Sequence, residues 1–419
     1  MLAWLKATFA ALEVRDFRVL WFGGLASFIG FFMAMIVQSV VAFGIAGNNK
    51  AVGLVVFGQG FAMLALGPIG GAFADRWPKR RVIAIAQGVS AVVFASLAWL
   101  IASDNITLTG LLIGSTLIGA TLAFLGPARQ GLVVDVVSLE RRGNAMAISN
   151  IANTGARVLG PAVAGLLLSA EWSGVVGAYL AMTLLYTASA LSLLLLPKSR
   201  VRAGAKDRPI LGDIADGVRY LAQHRRLLLL MTLFVTVILS GFPHVTVLPG
   251  LIENVFGRPA SELSQLFVAS AVGALAASVG VAGYADSPRA HLVFIALGCL
   301  FGAALVAVAL APSLAWVTLA MFWVGAGSGG FQSLNGAVIA RETEPAYIGR
   351  VMSLIILAFA GFGLMALPYG VLADWIGERE TLLVMALAIL ALCALLGSAL
   401  VRQTAGAAAA AERAEGTGG

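Results

Sequence analysis

The chain has 419 residues, of which 60% are apolar and only 11% charged, and its formal net charge is +7. Soluble domains average about 45–50% apolar and about 25% charged residues, so this composition excludes a disordered chain, a disulfide scaffold and a water-soluble enzyme. A helix that crosses a bilayer needs about 20 apolar residues. Because the apolar residues are spread along the whole chain, the sequence predicts an all-α polytopic membrane protein.

Apolar runs bounded by charged or turn-forming residues predict twelve membrane-spanning helices. They cover residues 18–46, 51–74, 82–102, 107–135, 144–169, 173–196, 226–252, 262–285, 290–311, 313–340, 350–373 and 381–401. The predicted organisation is an N-terminal six-helix bundle (1–196), a basic cytoplasmic linker (197–225), a C-terminal six-helix bundle (226–402) and a disordered tail (403–419). Within the linker we expect a short amphipathic helix around residues 214–221.

Basic residues are distributed unevenly between the two predicted membrane faces. With both termini on one side, that side carries 22 of the 27 Lys and Arg residues, while the other carries Lys50, Arg258 and Arg379. Cytoplasmic loops are enriched in Lys and Arg, so we expect a multi-pass protein of the cell (inner) membrane with both termini in the cytoplasm. Membrane orientation therefore explains the positive charge, and no nucleic-acid partner is expected.

The two six-helix halves resemble each other at a nearly constant spacing. Residues 73–75 match residues 284–286 at an offset of 211, and residues 143–146 match residues 349–352 at an offset of 206. Six spans return the chain to its starting side, so the two copies have the same topology. The repeat predicts two pseudo-symmetric bundles related by an axis along the membrane normal.

The loop after the second predicted helix, residues 71–81, reads G-A-F-A-D-R-W-P-K-R-R. It resembles the major facilitator signature G-x-L-A-D-R-x-G-R-[RK], with Phe and Pro at two of its positions. The resemblance implies a major facilitator fold in which this loop locks the cytoplasmic ends of the two halves. The residues that it assigns to this role are Gly71, Asp75, Arg76, Lys79 and Arg80.

Partners for this loop are also implied by the resemblance. Asp135, at the end of the fourth helix, and the start of the eleventh helix are the expected partners. The second copy of the loop is degenerate and keeps Asp286 and Arg289. The alternative is that the basic residues of the loop only anchor it to anionic lipid.

Helices 4, 5 and 11 narrow the resemblance to one branch of the superfamily. Residues 127–137 read P-A-R-Q-G-L-V-V-D-V-V and residues 155–165 read G-A-R-V-L-G-P-A-V-A-G. These strings look like the enterobactin-exporter and macrolide-efflux branch, and the G-P-x-x-x-G element resembles the antiporter motif. The residues to which this branch assigns conformational roles are Gly160, Pro161 and Asp374.

Polar residues inside the spans predict a substrate cavity, because charges in a membrane are costly and tend to mark function. Asn150, Asn153 and Arg157 follow one another at i, i+3 and i+7 and share a helical face, which favours an anionic or polar substrate group. The alternative is a structural Arg157. Polar residues of helices 1 and 10 complete the predicted cavity, with interhelical hydrogen bonding as their alternative role: Gln38, Gln332 and Asn335.

Arg129 lies late in helix 4, with Asp135 one and a half turns farther on, and we expect a gating pair or network there in preference to contact with substrate. None of the 20 acidic residues lies in the middle of a predicted span. If protons drive transport, the candidate proton-linked residues are therefore Asp75, Asp135 and His244. His244 has a structural role as its alternative.

The expected function is that of a secondary transporter that exports a small amphipathic, siderophore- or drug-like solute by alternating access, coupled to protons. The alternative is an uncoupled facilitator or a lipid or lysophospholipid flippase of the same fold. The sequence contains none of the motifs G-x-x-x-x-G-K-[ST], H-E-x-x-H and G-x-S-x-G, which argues against an ATP-driven pump and against an enzyme. We expect a monomer whose partners are the bilayer and a small solute, with no cofactor and no metal.

Overall fold

The structure is a computed structural model that describes residues 10–197, 210–284, 287, 289–344 and 347–416. Within these ranges the chain is almost entirely helical and has no β-strand. Twelve helices in the described part are long and apolar enough to cross a membrane, which confirms the predicted all-α polytopic fold. Numbered as spans 1 to 12, they are Arg15–Ala46, Asn49–Gly71, Lys79–Ala102, Leu108–Val136, Leu139–Ser169, Gly174–Leu195, Arg225–Val255, Ala260–Val281, Ala290–Ala309, Leu314–Glu342, Arg350–Ile376 and Glu378–Leu400.

A tight turn joins spans 1 and 2. Gly47 ends span 1 with a φ of 64°, a left-handed conformation that glycine adopts without strain. Asn48 then caps span 2, since its side chain accepts a 2.9 Å hydrogen bond from the amide of Ala51. The helix of span 2 continues beyond the apolar segment to Arg76.

The chain divides into two compact units. The first consists of residues 1–208, 246–268 and 366–375, and the second of residues 209–245, 269–365 and 376–419. These boundaries differ from the two consecutive halves that the repeat predicts, because parts of spans 7, 8 and 11 pack with the first six spans. Close approach makes this packing possible: a Cβ at Gly165 of span 5 would lie 2.7 Å from the Cβ of Ser264.

Small residues let spans 2 and 4 pack closely within the first unit. A Cβ at Gly70 would overlap the backbone of Ala123, and one at Gly119 would overlap the backbone of Gln59. Helices in lipid gain no hydrophobic energy from association, so van der Waals contact between closely packed backbones holds such pairs together.

In the second unit, an amphipathic helix of the linker, Ile210–Gln223, packs on the start of span 11. Asp216 pairs with Arg350 at 3.6 Å, and the ring of Tyr220 stacks on Tyr347 with 4.1 Å between centroids. The Tyr220 hydroxyl also accepts a 3.1 Å hydrogen bond from the amide of Glu344. The helix predicted around residues 214–221 therefore exists and is somewhat longer than predicted.

The end of the chain differs from the sequence-based expectation. The last helix runs from Glu378 to Gly416, so residues 403–416 are helical where the sequence analysis predicts a disordered tail. Residues 407–411 are five consecutive alanines, and alanine has the highest helix propensity.

Candidate functional site

A cavity of about 350 Å³ lies in the first unit among spans 1, 2, 4 and 5. Aromatic side chains of span 1 form much of its apolar wall, and the polar groups come from spans 4 and 5. The aromatic residues are Phe17, Trp21, Phe28 and Phe31, and the polar and charged residues are Arg129, Gln130, Ser149, Asn150 and Asn153. One side of the cavity is thus apolar and the other carries a cation with amide groups.

Arg129 is the charged residue among those that line the cavity. Its Nη2 donates a 2.6 Å hydrogen bond to the Ser27 hydroxyl, and its guanidinium carbon lies 4.6 Å from the centroid of the Phe28 ring. Within the described residues its buried Nε has no hydrogen-bond partner. The guanidinium therefore retains hydrogen-bonding capacity.

The expected pair between Arg129 and Asp135 is wrong. Asp135 instead forms an ion pair with Lys79, at 2.5 Å between Nζ and Oδ2. Six residues of α-helix correspond to a rotation of about 600°, which leaves the two side chains about 120° apart around the helix. Arg129 therefore lines the cavity while Asp135 contacts the start of span 3.

The predicted cavity residues lie in different places. Asn150 and Asn153 line the cavity, but Arg157 lies farther along span 5, with its guanidinium carbon 5.6 Å from the centroid of the Phe32 ring, and is not among the lining residues. Gln38 does not line it either: it is 4% exposed, within span 1.

The remaining polar candidates belong to the second unit. Asn335 of span 10 is buried at 2% exposure, and Gln332 lies one turn earlier on the same helix. Their contribution to a substrate cavity stays a prediction. His244 is buried in span 7, where its Nδ1 lies 2.8 Å from the carbonyl oxygen of Gly241 and its ring lies 5.9 Å from that of Phe301. This environment fits the structural role that the sequence analysis keeps as an alternative.

Two basic residues of the signature loop (residues 71–81), at the start of span 3, contact the neighbouring spans 4 and 6. Besides the ion pair of Lys79 with span 4, Arg80 donates to the carbonyl oxygens of Leu194 and Leu196 at the end of span 6. The missing side chain of Gly131 leaves room for the Lys79 stem, since a Cβ there would lie 2.7 Å from the lysine Cε. The loop thus ties spans 3, 4 and 6 together within the first unit.

The structure describes the remaining predicted residues of the signature loop and of its second copy only in part. Gly71 and Arg76 lie in the last turns of the span 2 helix, Gly71 half-buried and Arg76 exposed. Asp75 is in the same helix, with its side chain outside the described part of the structure. Arg289 directly precedes span 9 and is exposed, and Asp286 lies outside the described residues.

Asp374, at the end of span 11, binds the N-terminus of span 2. Its Oδ1 accepts hydrogen bonds from the amide of Asn49 at 2.7 Å and from the side-chain amide of the same residue at 3.2 Å. Its Oδ2 accepts one from the amide of Lys50 at 2.8 Å. The amides at a helix start lack intrahelical partners and carry partial positive charge. A carboxylate there provides both hydrogen-bond acceptors and a compensating negative charge. We call this set of contacts the Asp374 clamp.

Glycines allow the two helices of the clamp to touch through their backbones. A Cβ at Gly53 would lie 2.5 Å from the carbonyl oxygen of Ala366, and one at Gly370 would lie 2.5 Å from that of Asn49. Gly160 plays the same role between spans 5 and 1, because a Cβ there would lie 2.6 Å from the Cβ of Phe32. Pro161 follows within the same helix.

Sequence reasoning missed Ser27 and the aromatic wall of the cavity. An aromatic residue in an apolar span has no periodic or charge signal that separates a cavity wall from a lipid-facing surface. The hydrogen bond of 2.9 Å from the Trp21 indole to the carbonyl oxygen of Ile148, which ties the cavity wall to span 5, had no such signal either.

Comparison with known proteins places this geometry in a family. The chain matches the Major Facilitator Superfamily over residues 20–360. It is 24% identical over 341 residues to the staphyloferrin A transporter of Staphylococcus aureus (strain NCTC 8325 / PS 47), which covers 81% of this chain and 84% of that protein.

Solved structures share the fold at low sequence identity. A bacterial homologue of the human lysosomal transporter Spinster has a TM-score of 0.72 at 14% identity, over 92% of this chain and 96% of its own. The nucleoside transporter NupG has a TM-score of 0.71 at 15% identity, over 91% of this chain and 98% of its own. The protein is therefore a membrane transporter and not an enzyme, and it belongs to the major facilitator superfamily.

Proposed function

We propose that this protein is a secondary transporter that exports a small amphipathic, siderophore- or drug-like solute by alternating access. The observation that carries the proposal is the cavity of about 350 Å³ in which Arg129 faces an aromatic wall. A guanidinium in such a setting favours a solute with a carboxylate or other anionic group attached to an apolar body. The relative that transports staphyloferrin A supports a siderophore-like solute.

Arg129 is the residue that we assign to the anionic group of the solute. The Ser27 hydroxyl to which it donates is neutral, so this hydrogen bond does not compensate the positive charge of the guanidinium. Asn150 and Asn153 lie along the same cavity and can donate or accept hydrogen bonds from polar groups of the solute. Specificity would then come from one charge and two amides, and the aromatic wall would accept varied apolar groups.

Span 2 would act as a rigid lever with a gating contact at each end. The Asp374 clamp holds the N-terminus of its 28-residue helix, and the signature-loop residues Gly71, Asp75 and Arg76 lie in the last turns at its other end. Alternating access requires that the contacts at one end break while those at the other form. Gly160 and Pro161, in span 5, would let that helix adjust against span 1.

Coupling to protons is part of the proposal, with Asp135 as the favoured proton-linked group. Protonation of this carboxylate would remove the charge that pairs with Lys79. Asp75 and His244 are the other candidates. The uncoupled facilitator and the lipid flippase stay as alternatives. They need no proton-carrying carboxylate, and none of the acidic residues lies in the middle of a predicted span.

Transport in reconstituted vesicles tests these points. We would load vesicles with metal-free or iron-loaded staphyloferrin A and compare efflux with and without an imposed pH gradient. Gradient-dependent transport that falls in Arg129→Gln and is partly retained in Arg129→Lys supports the proposal. Equal transport after collapse of the gradient would refute proton coupling, and transport of lysophospholipid alone would favour the flippase.

We also propose that the protein is a monomer in the cell (inner) membrane with both termini in the cytoplasm. The distribution of basic residues supports this orientation. Reporter fusions at both termini and within residues 103–107 test it, since only the latter should report the outer side. The opposite pattern would refute the orientation.

A further inference from the structure

A second concave site lies on the outer surface of the first unit, away from the transport cavity. It is a groove of about 290 Å³ among spans 2, 3 and 4, and its lining is almost entirely apolar. Trp77 and Ile85 line it and are 51% and 59% exposed. We call it the span 2–4 groove.

Aromatic residues close one end of the span 2–4 groove. The ring centroid of Phe73 lies 5.3 Å from that of Trp77 and 5.7 Å from that of Phe124. Trp77 ends the helix of span 2, where an amphipathic indole ring is expected to sit at the level of the lipid headgroups. The groove therefore extends from the membrane interface along apolar side chains of spans 3 and 4.

Positive charge concentrates at this aromatic end. Residues 75–81 carry four basic side chains and one acidic side chain. Lys79 and Arg80 contact other spans of the bundle, and the side chains of Arg76 and Arg81 are both exposed. These two are adjacent in sequence to Trp77 and Val82, which both line the groove.

The start of span 3 adds a second source of positive potential at the same place. This helix begins at Lys79 and is 24 residues long, so its first amides carry the positive end of a helix dipole. Helix starts of this kind bind phosphate groups, and here one coincides with exposed arginines and an apolar groove.

Apolar contact alone would not select an occupant, because lipid tails are as apolar as the groove itself. Selection must come from the charged end. From this combination we infer that the span 2–4 groove binds an anionic phospholipid, with its phosphate at Arg76, Arg81 and the start of span 3 and one acyl chain along the groove. This site is independent of the transported solute.

Lipid binding to the purified protein tests the inference. We would titrate phosphatidylglycerol and phosphatidylcholine with identical acyl chains in a neutral detergent and count bound lipids by native mass spectrometry. We expect tighter binding of phosphatidylglycerol to the unmodified protein. Since one basic residue at a membrane surface contributes about 1 kcal/mol, Arg81→Gln should weaken this binding about fivefold and leave phosphatidylcholine unchanged.

The acyl chain is tested by filling the groove. Ala120→Trp should reduce phosphatidylglycerol binding, and Ile85→Trp offers a second variant at an exposed position that folding tolerates more readily. The matched controls are Arg402→Gln, at another exposed arginine, and Leu184→Trp, at a lipid-exposed position on span 6. Both controls should bind like the unmodified protein.

Three results would overturn the inference. The first is equal binding of the two lipids to the unmodified protein, and the second is an equal loss of binding in the control variants. The third is full competition by glycerol 3-phosphate at the same concentration, because a headgroup without acyl chains would then suffice and the groove would have no part in binding.

Discussion

The Asp374 clamp makes a quantitative prediction for Asp374→Asn. The carboxylate accepts hydrogen bonds from two backbone amides and one side-chain amide at the start of span 2. The substitution keeps the shape of the side chain but removes the charge that pairs with the helix N-terminus. A hydrogen bond to a charged group contributes about 1.5–3 kcal/mol and a helix-dipole contact about 0.3–1 kcal/mol.

Because the Asp374 side chain is exposed and an asparagine can still accept one hydrogen bond, we expect a loss of about 1–2 kcal/mol. This corresponds to a change of about 5–30-fold in the equilibrium between the clamped and released states. If the two states are equally populated in the unmodified protein, the clamped fraction should fall from a half to less than about a fifth.

Spin labels can measure these populations. Lys50→Cys and Trp375→Cys place labels on exposed positions of the two helices, and the clamp uses only the backbone of Lys50. Cys299 and Cys393 would first be replaced by alanine, since both are free thiols. The fraction of molecules at the short label distance then reports the clamped state directly.

Two controls accompany this measurement. Asp104→Asn removes an exposed acidic residue whose φ of 55° asparagine tolerates, and it should leave the populations unchanged. Asp374→Glu keeps the charge and should restore part of the clamped fraction. Unchanged populations in Asp374→Asn would refute the reasoning, because the carboxylate would then not stabilise the closed contact.

Three further predictions concern the cavity, the signature loop and the linker. Arg129→Gln should weaken binding of an anionic solute about 10–100-fold, the equivalent of about 1.5–3 kcal/mol. Arg157→Gln should change this binding much less. Equal effects of the two substitutions in a binding titration would contradict the assignment of Arg129 to the solute. Lys79→Gln and Asp135→Asn should show a coupling energy of about 0.5–1 kcal/mol in a double-mutant cycle of thermal stability, and additive losses would exclude a stabilising ion pair. Tyr220→Ala should release the linker helix from span 11 and speed proteolysis of the linker, whereas an unchanged cleavage rate would show that the stacked rings do not hold it.

The sequence by itself determined the twelve spans, their boundaries to within a few residues and the positions of the motif residues. These features follow from local rules: the thickness of the bilayer sets the length of each apolar run, and every backbone group in lipid must be satisfied within its own helix. The amphipathic helix in the linker was equally visible. The helix in the tail could not be predicted, because the composition of the tail fits two different states. A run of alanines has high helix propensity, but the composition of the tail also matches that of flexible segments.

Only the tertiary structure decided which residues meet. Asp374 binds an amide 325 residues away in sequence, and no local pattern identifies that partner. Arg129 and Asp135 are close in sequence and opposite in charge, yet helix geometry turns them to different neighbours, so that one lines a cavity and the other pairs with Lys79. Within a membrane almost every surface is apolar, and the role of each rare polar group is set by the helix that packs against it.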